Sequence, residues 1–114
     1  MKKNKTLLLI DRKEIILKLK DESNITFLFP LKGFSVGFTH YFDISDINID
    51  GFIFINRILD NEGIKNFKKI LKKLPDNIKG IVFDDIDILN ILLKEKVNIN
   101  KILFLNHMNS NYES

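Results

Sequence analysis

Gly51-Phe-Ile-Phe-Ile-Asn-Arg-Ile-Leu-Asp60-Asn-Glu-Gly-Ile-Lys-Asn-Phe-Lys-Lys-Ile70-Leu-Lys-Lys-Leu-Pro-Asp-Asn-Ile-Lys-Gly80-Ile-Val-Phe-Asp-Asp85 sets a strand, a helix and a second strand in succession. Gly51 to Ile55 is a continuous apolar run, the pattern of a strand buried on both faces of a parallel sheet. From Asn61 to Leu74, Ile64, Phe67, Ile70, Leu71 and Leu74 recur at helical spacing, and Pro75 ends the helix. Gly80 to Phe83 is the next strand. A βαβ unit with a right-handed crossover is the expected result.

The same alternation extends in both directions. Toward the C-terminus, Asp84 or Asp85 caps a helix with Ile88, Leu89, Leu92 and Leu93 inward, and Ile102 to Leu105 is the last strand. Toward the N-terminus, Thr6 to Ile10 reads as the first strand. Asp11 then caps a short helix with an Ile15, Ile16 and Leu19 stripe. Asp21-Glu-Ser-Asn24 breaks that helix, and Ile25 to Phe29 is a strand with Pro30 at its end, where a missing N–H is tolerated. Leu31 to Tyr41, with Gly33 and Gly37 among aromatics, reads as a structured loop, and a short helix begins at Asp43. That makes five strands at most, in one domain spanning 1–114.

The βα series stops after the strand-to-loop transition at Asn106-His107, and 114 residues fall short of the roughly 200 or more of a full (β/α)8 barrel. The expected fold is therefore α/β, a partial (half) TIM-like barrel of about four βα units. The alternative is a flavodoxin-like open parallel sheet. A half-barrel leaves two sheet edges and an apolar inner face uncovered. That predicts a homo-oligomer, or a second chain supplying the rest of the barrel.

Composition narrows the chemistry. The chain is 45% hydrophobic and 29% charged, which is globular. With no cysteine it has no disulfide, no thiolate zinc or iron–sulfur ligand and no cysteine nucleophile. No apolar run approaches the roughly 18 residues of a membrane span. Met1-Lys-Lys-Asn-Lys5 before Leu7 to Ile10 imitates a signal peptide. The run is shorter than an h-region of roughly 7–15 residues and is broken by Asp11-Arg-Lys13. A cytoplasmic strand is the expectation. A net charge of +3 permits weak attraction to anions without implying it.

Parallel sheets meet ligands at the C-terminal ends of their strands. The polar groups expected there are Asn56 and Arg57, then Asp84 and Asp85, then Asn106 and His107. Aspartates and a histidine on one rim suit general acid–base work or a divalent metal, and helix capping is the competing account of the aspartates. His40-Tyr41-Phe42-Asp43 reads either as a substrate-contacting loop or as aromatics plugging the edge of the core. Gly33-Phe-Ser-Val-Gly37 matches neither common phosphate-binding glycine motif, and no His-Glu-x-x-His is present. Lys65, Lys68, Lys69, Lys72 and Lys73 form a basic helix face that either contacts RNA phosphates or is simply solvated.

Lys32-Gly-Phe-Ser-Val-Gly-Phe-Thr-His-Tyr-Phe-Asp43, Phe54-Ile-Asn56, Gly80-Ile-Val-Phe-Asp-Asp85 and Leu105-Asn-His-Met-Asn-Ser-Asn-Tyr112 occur in an order that resembles the N-terminal half of U32-type, collagenase-like peptidases. In those proteins a strand ends in His-x-x-x-Asn-Tyr, matched by His107, Asn111 and Tyr112. The resemblance implies a TIM-like barrel whose rim includes these three residues, and a peptide substrate. With Asp84 and Asp85 as catalytic partners of His107, the substrate side falls to His40, Tyr41, Asn56, Arg57, Asn106, Asn111 and Tyr112. Some relatives act in RNA hydroxylation with an iron–sulfur cluster. That chemistry does not carry over to a chain without cysteine. No cofactor is specified.

Overall fold

The computed structural model of the chain describes residues 6–10, 12–19, 21–22 and 24–104. Five strands, β1 (Thr6–Leu9), β2 (Ile25–Pro30), β3 (Gly51–Ile55), β4 (Ile78–Phe83) and β5 (Asn100–Leu103), form one sheet in strict chain order. Every neighbouring pair is parallel. Helices α1 (Lys13–Leu19), α2 (Asn61–Lys72) and α3 (Ile86–Lys94) fill three of the four crossovers. The fourth, between β2 and β3, is irregular and holds only a 3-10 turn at Ile44–Asp46. The sheet is open. Its order is that of consecutive barrel units and not the 2-1-3-4-5 of a flavodoxin-type sheet.

Local chemistry sets the helix ends. Asp60 caps α2, its carboxylate accepting from the Gly63 N–H at 2.8 Å, which satisfies one of the donors that a helix start leaves orphaned. Asp85 does the same for α3 by accepting from Asp87 N–H at 3.0 Å. Helix α3 ends in a Schellman motif, with Val97 N–H donating to Leu92 O and Lys96 N–H to Leu93 O. Lys96 occupies the left-handed position at φ 56°, a conformation that costs an L-residue roughly 1 kcal/mol relative to glycine. The N-cap expected at Asp11 lies outside the described residues.

Register sorts the apolar residues onto two unlike faces. On one, Phe27, Phe29, Ile53, Ile55, Ile81 and Phe83 join Phe67 and Leu71 of α2 and Ile88 and Leu92 of α3 in one buried core, and Ile15, Ile16 and Leu19 of α1 pack against it. Burying side chains of this size stabilises by about 1.5–3 kcal/mol each. All three helices share this face.

The other face carries Leu7, Leu9, Leu28, Pro30, Phe52, Phe54, Val82 and Ile102. None belongs to the helix-side core, and no described helix packs on it. Its centre is roofed by its own rings. Phe52 lies across Gly80, where any Cβ would run into the ring, and Phe38 stands edge-on against Phe54 at 5.6 Å.

Four expectations need correction. β4 begins at Ile78, two residues before Gly80, and α2 ends at Lys72, two residues before Leu74. Leu93 points outward with 59% of its surface exposed, because Ile88 and Leu92 already fill the stripe that faces the sheet. The last strand is Asn100–Leu103, two residues earlier than the apolar run suggests, since pairing with Gly80–Phe83 sets its register.

Packing of Phe52 on Gly80 gives a direct test. Gly80→Ala should destabilise the fold by about 1–3 kcal/mol through overpacking, and Phe52→Leu in the same chain should restore part of the loss. Denaturant melts of the two single variants and the pair would measure the coupling.

Candidate functional site

The C-terminal ends of the strands are where the sequence places its chemistry. At the end of β3, the Asn56 side chain bridges the β2–β3 loop, accepting from Val36 N–H at 2.8 Å and donating to Val36 O at 3.2 Å. Backbone N–H groups of Asn56 and Arg57 both donate to Phe34 O, and Arg57 Nη1 reaches Gly33 O at 3.4 Å. Both residues thus hold the loop that was expected to touch substrate.

That loop divides its aromatics between the two faces. Phe34 turns to the helix side and meets Phe67 at 5.8 Å. Phe38 turns to the other side against Phe54, and its N–H donates to the Tyr41 hydroxyl at 3.0 Å. Phe42 is buried in the core at 5.0 Å from Phe29, and His40 lies edge-on against the Phe42 ring at 4.6 Å. Phe38, Tyr41 and Phe42, the aromatics of the plug account, thus each make ring contacts.

Two further residues, Ser35 and Asn77, anchor this crossover. Ser35 is buried, accepts from Leu31 N–H at 3.1 Å and donates to Phe54 O. Asn77 donates to both Ile47 O and Ile49 O at 2.8 Å, pinning the far end of the crossover beneath β4. Neither has a local signal, because each partner is 19 to 30 residues away in sequence where the bond leaves the loop.

At the end of β4, Asp85 is taken up as the α3 cap, while Asp84 is exposed. Partial burial pushes the Asp84 carboxyl above the usual aspartate value. A hydrogen bond with its own backbone pulls it back, and the Asp85 charge adds to the rise. Strand β5 runs beside β4 to the level of Asp84, since Phe104 N–H donates to Phe83 O at 2.6 Å. Asn106, His107, Asn111 and Tyr112 lie outside the described residues. Among the described residues, no hydrogen bond or ion pair joins the aspartates to His40, Tyr41, Asn56 or Arg57. Nor does any group of three His, Asp or Glu stand together as a metal site there.

A cleft of about 500 Å³ opens on this rim between Lys32, Phe34, Arg57, Leu59, Glu62 and Asn66. Its lysine pairs with Asp43 at 3.4 Å. A larger cavity of about 730 Å³ lies at the opposite end, beneath Pro75, Ile78, Val97 and Ile99, the end of a βα sheet that serves stability rather than chemistry. On α2 and at its C-cap, Lys65, Lys69, Lys72 and Lys73 are exposed and Lys68 approaches Glu95 at 3.9 Å. No described helix is long and apolar enough to cross a membrane.

No family model, curated protein or solved structure matches the chain. An α/β domain with a five-stranded all-parallel sheet is what stands.

Asp84 sets a pH dependence with a definite sign. Because its folded pKa lies above the ordinary 3.8, the folded state holds the proton more tightly. The stability this confers is present at low pH and is lost as pH rises through the folded value. Asp84→Asn should melt like wild type near pH 3 and at a higher temperature than wild type at pH 7. A difference that runs the other way would assign Asp84 a stabilising partner.

Proposed function

We propose that this domain is a non-catalytic assembly module, a half-barrel of βα units that associates through the two flanks of its sheet. The observation that carries this reading is where apolar surface remains exposed. Among the described residues the exposed large apolar side chains are Leu7, Leu17, Val36, Ile58, Ile86, Leu93, Ile102 and Phe104. Leu7 and Leu17 belong to β1 and α1. Ile86, Leu93, Ile102 and Phe104 belong to α3 and to β5 with its next residue.

Six of the eight lie at the two ends of the sheet, while Val36 and Ile58 stand on the rim beside the end of β3. The six adjoin edge strands that, among the described residues, have a neighbour on one side only. Such edges pair readily with another chain. Ile86 and Leu93, seven residues apart, fall on one side of α3, so helix and strand present one apolar flank. The candidate polar residues support the same reading, since Asn56, Arg57 and Asp85 are engaged in holding the fold.

Light scattering coupled to size exclusion tests it. The wild-type chain is expected to run above its 13.4 kDa monomer mass at high concentration and to approach that mass on dilution. Leu93→Lys with Ile102→Lys should return it to the monomer with a melting temperature close to wild type. A monomer at every concentration, unchanged by the substitutions, would overturn the reading.

A second reading follows the resemblance to U32-type, collagenase-like peptidases, with Asp84, Asp85 and His107 as its rim residues. One observation favours it: Asp84 is exposed, is not the residue that caps α3, and stands level with Phe104 just past β5, three residues before His107 in the chain. Cleavage of a peptide library, measured with and without divalent metals, should be lost in His107→Ala and in Asp84→Asn if this reading holds. No cleavage by the wild-type chain removes it.

A further inference from the structure

We infer that the partner of these flanks is a second copy of the chain, and that β5 of each copy pairs in parallel with β1 of the other to close a ring of ten strands. This rests on the assembly reading above and gives it an occupant and a geometry.

The two flanks are matched in kind. Each ends in a four-residue strand, Thr6–Leu9 on one side and Asn100–Leu103 on the other, with all strands of the sheet running the same way. A two-fold axis along the strand direction keeps every strand parallel and brings the β5–α3 flank of each copy against the β1–α1 flank of the other. Closed two-fold assemblies of this type leave no free edge. Register puts Leu7 on the same face as Ile102, so the ring places both on its inner side. Leu17 of α1 and Leu93 of α3, exposed on the two flanking helices, would fall at the same two junctions.

The area suffices. A strand of four residues at ~3.3 Å per residue, beneath a helix layer ~10 Å away, presents a flank of roughly 13 × 20 Å. Two such flanks on each of two copies bury on the order of 1,000 Å², the lower bound of a specific interface. The centre of the inner face needs no cover from a partner, since Phe52 and Val82 are already 9% and 3% exposed. Exposure rises to 40% at Leu7 and 37% at Ile102, on the two edge strands. A face-to-face sandwich would bury the centre most, so this gradient favours edge-to-edge closure.

The absence of native cysteine makes a clean test possible. Leu7→Cys and Ile102→Cys change half-exposed side chains, and each variant is prepared alone. Mixed and oxidised, the two should form a Leu7→Cys/Ile102→Cys cross-linked pair, while neither variant alone cross-links to itself. Light scattering of the wild type should give twice the chain mass. Homodimers of Ile102→Cys would mean that β5 meets β5, overturning the ring while leaving flank association intact. Mixed cross-links in assemblies larger than two chains would overturn closure in favour of an open chain of copies. A monomer with no cross-link would overturn the ring together with the self-association on which it rests.

Discussion

Strict chain order across the sheet is the constraint from which the remaining features follow. Each strand lies beside the one before it, and each parallel step is made by a crossover of the same hand. Crossovers that all advance in one direction must all pass over the same face. Helices α1, α2 and α3 therefore crowd onto one side, where Phe67, Leu71, Ile88 and Leu92 meet Ile53, Ile55, Ile81 and Phe83 in a sealed core. A doubly wound sheet reverses direction once and so covers both of its faces. This chain never reverses. Its second face is as apolar as the first and has no helix layer among the described residues.

The β2–β3 crossover shows how the fold copes with that asymmetry. It replaces a helix by twenty residues of loop, and its aromatics are shared out: Phe34 and Phe42 to the helix-side core, Phe38 and Tyr41 to the opposite face above Phe54. Two chain reversals make this division possible, at Gly33 and Gly37, both with φ near +88°, a region closed to most side chains. Polar residues then fix the loop in place. Ser35 ties it to β3, Asn56 brackets Val36, and Asn77 holds its far end. A rim rich in Asn, Ser and Arg is here largely the fastening of a loop whose own backbone lacks helix hydrogen bonds.

Much of this architecture is legible in the sequence. The runs Gly51–Ile55 and Gly80–Phe83 and the Ile64, Phe67, Ile70, Leu71 stripe are local patterns, and local patterns survive folding when the partner surface is simply apolar. What was not legible is non-local. Nothing near Ser35 announces that its hydroxyl will serve a carbonyl nineteen residues away. The outward turn of Leu93 depends on Ile88 and Leu92 having filled the space first. Lys96 in a glycine position gives no sequence cue at all, because the Schellman turn is imposed by Val97 packing back toward the core. The candidate site divides the same way. Asp85 as a helix cap follows from its place before an apolar stripe, whereas the bridging of the loop by Asn56 follows only from the register of β3.

An open parallel sheet poses an energetic problem that an antiparallel one escapes. Antiparallel sheets tolerate water on one face by alternating polar and apolar residues; parallel strands carry apolar residues on both. Here the cost is met at the centre of the second face by rings lying on the sheet itself, Phe52 across Gly80 and Phe38 on Phe54. Rings can shield only what they can reach. Among the described residues, β1 and β5 each have a neighbour on one side only, and Leu7, Ile102 and Phe104 stay in contact with water. Within that set, unpaired backbone groups run along the same two strands. The two deficits, of apolar cover and of hydrogen bonds, thus coincide at the flanks and nowhere else in the sheet. One parallel strand laid along each edge would relieve both at once. Each flank already presents, in its own edge strand, the element that the other lacks.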